Sequence, residues 1–180
     1  MLELYKQGQR NFSNVDLRDA QLRSVTFIGI DLRGATLNRV DLSSANLIDA
    51  NLTGANLVET NLRGALLRGA NFSDADLKGA NLTWSNSSNS KFIRANLDIT
   101  NFSGANLIEA DFTGAIMKGS NLRGTNLRGV ILQNLQVCVD TEFTGVRNLD
   151  DRNRVYLCAI ASGTHPFTKN DSRRTLDCPI

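Results

Sequence analysis

From Phe12 to Leu132 the same kind of residue returns every five positions, with no insertion in the register. Of the 25 positions in this series, 17 are Leu, six are Phe (Phe12, Phe27, Phe72, Phe92, Phe102, Phe112), one is Met117 and one is Ser87. Two residues before most centres stands a small residue, usually Ala, as at Ala45, Ala50, Ala55, Ala65, Ala70, Ala75 and Ala80. Asn or Asp mostly precedes the centre, and Gly often closes the unit, giving A-(N/D)-L-x-G. Neither ordinary period accounts for this, since a helix repeats its apolar face every 3.6 residues and a strand every two. A period of five with paired small and large apolar positions requires the chain to turn a corner at every unit. The small residue and the Leu or Phe point inward and the other three face water. Gly suits the corner because positive φ costs it little.

Composition narrows function more than it defines it. Lys and Arg number 20 against 18 Asp and Glu, a net charge of +2, which argues against a strongly basic nucleic-acid binder and against an acidic tail protein. Within residues 10–134 the balance is 13 cationic to 11 anionic, and the arginines are spread over several faces. The single histidine, His165, confines any His-based metal cluster or catalytic dyad to itself. Three cysteines spaced by twenty do not supply a zinc site, and there is no P-loop or GxGxxG, so no cofactor and no metal are expected. No apolar run approaches the ~18 residues of a membrane helix, so no membrane insertion is expected.

The tandem A-(D/N)-L-x-x units resemble those of the pentapeptide repeat family, over residues 10–134. The resemblance implies an all-β solenoid, a right-handed quadrilateral β-helix with four pentads per coil. On that layout residues twenty apart stack, so Phe72, Phe92 and Phe112 form one ladder, with ring spacing near ~5 Å. A second column runs Phe27, Leu47, Leu67, Ser87, Leu107, Leu127. An interior filled in this way has no room for a ligand. The expected division is an N-terminal cap over 1–9, the β-helix over 10–134 in a little over six coils, and a capping extension with helices over 135–180. Residues 2–8 predict one or two helical turns ended by Gly8. Asp150 to Ala161 reads as a helix, a second short one runs from Asp171 to about Leu176, and Val155, Leu157, Cys158, Ile160 and Leu176 are expected to cover the top coil.

Trp84-Ser-Asn-Ser-Ser-Asn-Ser90 interrupts the pattern, with Ser87 at a centre. It reads either as a weak coil that keeps register or as a bulge that displays Trp84. If Ser87 faces available space, leucine there should stabilise.

The tail from Leu157 to Cys178 is similar to the C-terminal extension of certain cyanobacterial and thylakoid-lumen pentapeptide repeat proteins. That resemblance implies a Cys158–Cys178 disulfide, a free Cys138 near the last coil, and an address in the thylakoid lumen or periplasm of a photosynthetic organism. The N-terminus MLELYKQGQR lacks the charged-then-apolar layout of a signal peptide, which keeps the cytoplasm, with three reduced thiols, as the other expectation. Cys158 and His165 could form a nucleophile–base pair only if the cysteine were free.

The functional expectation is a non-catalytic binding or scaffold module with an unknown protein partner and no nucleic acid. Its candidate face carries Ile28, Ile48 and Ile108 in the outward position after the centre, with Trp84 nearby. The alternative is a DNA-mimicking regulator of a type II topoisomerase, which needs a continuous acidic face that the scattered arginines would interrupt.

Overall fold

In a computed structural model, which describes residues 1–136 and 138–178, the pentads close into a four-sided column. Parallel bridges join each residue before a centre to the one twenty positions on: Asn11 to Asp31, Asp16 to Thr36, Gln21 to Asp41, Thr26 to Asn46, and so upward. Four pentads therefore make one coil. The first face carries the centres from Phe12 through Leu32 to Leu132, the second starts at Leu17, the third at Leu22 and the fourth at Phe27. The first face has seven levels, Asn11 to Ile131; six steps of ~4.8 Å make the column roughly 29 Å tall.

Each corner falls two residues after a centre, where φ is positive. Gly64, Gly104 and Gly124 satisfy this without strain, whereas Trp84 stands at φ 60 on the same corner. The expected ladder is present: Phe72 and Phe92 stack at 5.1 Å and Phe92 and Phe112 at 5.0 Å. Buried hydroxyls in the small-residue column of the third face are satisfied by the ladder itself, as Thr60, Thr100 and Ser120 donate to the carbonyls of Leu37, Leu77 and Leu97.

The serine-rich segment keeps register, with Ser87 N–H bonded to the Asn106 carbonyl at 2.8 Å and Lys91 N–H to that of Ala70 at 3.0 Å. Ser87 and Ser90 are fully buried. Ser87 Oγ lies 3.0 Å from Ser85 Oγ, and Ser90 Oγ donates to the Ser87 carbonyl at 2.6 Å. The hydroxyl contacts set the expectation for Ser87→Leu. The substitution strips the buried Ser85 hydroxyl of its partner, so it should destabilise by roughly 1–3 kcal/mol. A rise in the denaturation midpoint would show that a void lies beside Ser87.

The strict five-residue spacing ends at Asn134, yet the coil does not. Thr141-Glu-Phe-Thr-Gly145 is a further pentad displaced by one residue, so Asn121 pairs with Glu142 and Asn126 with Arg147. Phe143 fills the centre and is buried.

Helices close both ends. At the bottom, α1 (Leu2–Lys6) lays Tyr5 edge-on against Phe27 at 5.0 Å, its hydroxyl donating to the Ile28 carbonyl. At the top, α2 (Asp151–Ile160) starts at the Asp150 cap and α3 (Ser172–Thr175) at the Asp171 cap, each carboxylate accepting the N–H three residues on. Leu157, Cys158 and Leu176 are buried in this cap. Val155 is not, being 71% exposed. The side of α2 that carries Asn153, Leu157, Cys158 and Ala161 is the one facing the coil, and Val155 points away from it. Tyr156 packs in its place, and its hydroxyl accepts the Leu135 N–H at 2.9 Å.

Candidate partner-binding face

The column leaves its outer faces as the places where chemistry can happen, and the four differ in charge. On the first two, arginines are neutralised at once. In Asp16-Leu-Arg18 and Asp31-Leu-Arg33 the aspartate accepts the backbone N–H of the arginine and also its guanidinium, at 2.7–3.1 Å and 2.6–3.1 Å. Arg39 and Arg94 reach one coil down to Asp19 and Asp74. The guanidinium of Arg94 holds the Asp74 carboxyl below its ordinary range.

The fourth face carries a broken apolar column. Ile28 is exposed, Ile48 and Ile108 are half-buried, and Arg68 and Ser88 stand between them in the same column. Leu66, 42% exposed, joins them two residues before Arg68, on the other side of its centre. Sequence reading missed Leu66 because it occupies the Asn/Asp place in its pentad. Trp84 sits on the corner shared by the third and fourth faces and is 67% exposed. Its ring lies directly over Gly104, where even a Cβ would come within 2.5 Å of the indole. A bulky residue at positive φ is an uncommon conformation that costs roughly 1–2 kcal/mol.

The cysteines and the histidine do not assemble a reactive site. Cys158 is bonded to Cys178. Cys138 is free and buried, and burial pushes its thiol up to about 11 although a hydrogen bond with Thr141 pulls the other way. His165 is buried, and that burial lowers its pKa against the opposing pull of Glu142. Its Nδ1 accepts the Thr168 N–H at 3.1 Å, and its buried Nε2 has no hydrogen-bond partner among the described residues. Among the described residues no group of His, Cys, Asp or Glu could hold a metal, and no helix is long and apolar enough to cross a membrane.

A buried carboxylate that sequence reading overlooked ties the tail down. Glu142 replaces the usual Asn, and its longer side chain reaches the loop after α2. It accepts from the Thr144 N–H and hydroxyl, the Thr168 hydroxyl and the Asn170 amide. Burial alone would raise its pKa, but these donors, led by the Thr144 and Thr168 hydroxyls, hold it down to about 2. The only signal in the sequence was the off-register Glu-Phe-Thr-Gly. A carboxylate lowered in the folded state stabilises fully above its unfolded pKa of about 4.5 and loses that contribution as pH falls toward about 2. The expected loss is roughly 3 kcal/mol. It should appear as rising amide exchange over residues 163–178 below pH ~4.5, and Glu142→Gln should remove that pH dependence. His165, whose pKa burial lowers, costs stability as pH falls below its ordinary value of 6.5, before the Glu142 contribution begins to fade. Tail protection unchanged between pH ~6 and ~2.5 would contradict the role given to Glu142.

The comparisons with known proteins agree on the family. The model for pentapeptide repeats matches over residues 11–47, 45–83, 70–107 and 95–134. No curated protein matches. Among solved structures, a pentapeptide repeat protein from the Arabidopsis thaliana thylakoid lumen is 34% identical, with 88% of this chain and 92% of that one covered and a TM-score of 0.26. A pentapeptide repeat protein from Nostoc PCC 7120 is 36% identical over 56% of this chain and 76% of its own, TM-score 0.38. QnrB1, a plasmid-mediated fluoroquinolone resistance protein, is 17% identical, with 79% and 89% covered and a TM-score of 0.47. With tandem pentads over two thirds of its length, four to a coil, the chain belongs to the pentapeptide repeat family, whose fold is the right-handed quadrilateral β-helix.

Proposed function

We propose that this protein is a non-catalytic binding or scaffold module that engages a protein partner through its fourth face and the corner bearing Trp84. The observation that carries this reading is the row Ile28, Ile48, Leu66 and Ile108, apolar and outward-facing on a flat wall, with an exposed tryptophan at its edge. Aromatic anchors beside apolar contacts are the usual energetic centre of an interface. A filled interior, a cysteine consumed by a disulfide and a buried neutral histidine all weigh against catalysis. The disulfide and the 34% identity to a thylakoid-lumen protein support an oxidising compartment, lumen or periplasm, in a photosynthetic organism. DNA mimicry is disfavoured by charge, because Asp16, Asp19, Asp31 and Asp74 each carry an arginine and form no run of free anions.

The test uses the intact protein as bait in extracts of a photosynthetic organism, compared with Ile48→Arg combined with Trp84→Ala. A protein held by the wild type should be lost from this variant and kept by one carrying arginine at Thr53, on the first face. Equal capture by all three would sink the reading.

A further inference from the structure

The third and fourth faces keep arginines that the first two do not allow to stay free, and the difference is one atom in the preceding side chain. Asn61-Leu-Arg63, Asn121-Leu-Arg123 and Asn126-Leu-Arg128 repeat the layout of Asp16-Leu-Arg18 with asparagine for aspartate. The amide oxygen still accepts the arginine N–H, at 3.2, 3.0 and 3.3 Å. A neutral amide offers the guanidinium no charge. Among the described residues Arg63, Arg68, Arg123 and Arg128 have no ion pair, and all four are exposed. Arg23 has only a loose one, 3.7 Å from Asp41, with its side chain 71% exposed.

Their placement is ordered. Arg63 and Arg123 share with Gly64 and Gly124 the turns of the corner that bears Trp84, and Arg23 stands below them in the same column; Arg68 and Arg128 lie in the turns of the next corner, beside Gly69 and Gly129. Arg63 and Arg123 are three coils apart, roughly 14 Å. Trp84 lies one coil above Arg63, its ring covering Gly104. Arg147, one coil above Asn126, donates to the Gly124 carbonyl at 3.2 Å. Beneath Trp84 a groove is lined by Arg23, Ser43, Asn61, Arg63 and Gly64.

We infer that this corner is a recognition site for an acidic polypeptide segment, whose carboxylates meet Arg63 and Arg123 while the chain between them crosses Trp84. Guanidinium and carboxylate match bidentately. An extended chain rises ~3.4 Å per residue, so acidic residues four apart reach from one arginine to the other. The glycine corners and the single tryptophan fit a chain lying close to the wall. A nucleic acid fits less well. It brings a charge every few ångströms along its length, whereas the arginines of this corner stand whole coils apart, one aromatic is present for stacking, and Asp49 and Glu109 occupy the far corner of the fourth face. This inference rests on the proposed binding role and gives the partner its chemistry.

Trp84 is the only tryptophan, so its emission reports on the site directly. The probes are a peptide of about twelve residues alternating Glu and Ser, its Gln counterpart, and an oligothymidylate of equal charge, at low salt. The glutamate peptide should change the emission saturably and the glutamine peptide should not. Asn61→Asp and Asn121→Asp together give Arg63 and Arg123 the internal partners seen at Asp16 and Asp31, and should weaken binding about tenfold or more. Asn51→Asp and Asn71→Asp add the same charge to the first face and should leave binding nearly intact. No response to the glutamate peptide, equal weakening by both double variants, or tighter binding of the oligothymidylate would each overturn the inference. A failed titration alongside a capture pattern still dependent on Ile48 and Trp84 would remove the acidic ligand alone and leave the binding module standing.

Discussion

Phe92→Ala should lower the stability of this protein by about 3–5 kcal/mol, the largest effect expected of any single truncation discussed for it. The ring is fully buried between Phe72 and Phe112 and meets the edge of Phe102 at 5.5 Å. Truncation removes the transfer energy of the side chain and leaves a cavity. The cost of a cavity depends on how far its walls can relax, and here they can relax little. Phe72 N–H is bonded to the Lys91 carbonyl at 2.7 Å and Phe92 N–H to that of Asp111 at 2.7 Å, so the coils above and below are fixed at ladder spacing. Phe12→Ala, at the open bottom of the same column, should cost well under half as much, because that ring has neighbours on one side only. Denaturant midpoints of the two variants test the pair. A loss below about 1 kcal/mol for Phe92→Ala would mean that the stack contributes little.

Breaking the Cys158–Cys178 bond should loosen the tail selectively. On the chain-entropy model, closing a loop of this length stabilises by roughly 3 kcal/mol. The bond joins the buried end of α2 to the chain just after α3. Other contacts hold the same region: Arg154 donates to the Leu176 carbonyl, Thr175 accepts the Phe143 N–H, and Glu142 gathers Thr168 and Asn170. Reduction should therefore raise exchange and protease sensitivity over residues 159–178 while the repeat ladder keeps its protection. With the cap loosened, the edge of the last coil becomes available and association should increase. Loss of ladder protection from residue 12 upward on reduction would show instead that the cap holds the whole column together.

How much of this was legible beforehand depended on whether the signal repeats. The phenylalanine ladder follows from the five-residue period once four pentads make a coil, and the helix starts at Asp150 and Asp171 follow from capping chemistry alone. Single departures from the period carried less. Ser87 looked like a weak point because a sequence shows the missing leucine but not the buried hydroxyl contact with Ser85. The pentad around Phe143 escaped notice because one added residue breaks a five-residue count without breaking the ladder. Glu142 was unreadable as a hub, since its donors at Thr168 and Asn170 are brought to it by the fold of the tail. The free arginines were visible as letters, but their freedom appears only when Asn61 is compared with Asp16 at the same place in a coil.

The assignment of Arg63, Trp84 and Arg123 to one corner depends on a coil of twenty residues, and deletion tests that most directly. Removing residues 30–49 takes out one whole coil and joins Gly29 to Ala50, which then takes the place of Ile30, its equivalent one coil down. The shortened protein should fold, keep its β signal and retain the response of Trp84 emission to the glutamate peptide, with a moderately lower melting temperature. Removing residues 32–49 is a smaller excision, but it leaves the two halves out of register by two positions, turning inward residues to solvent, and that protein should not fold cooperatively. Equal tolerance of both deletions, or collapse of the first, would contradict the four-pentad coil and with it the shared corner.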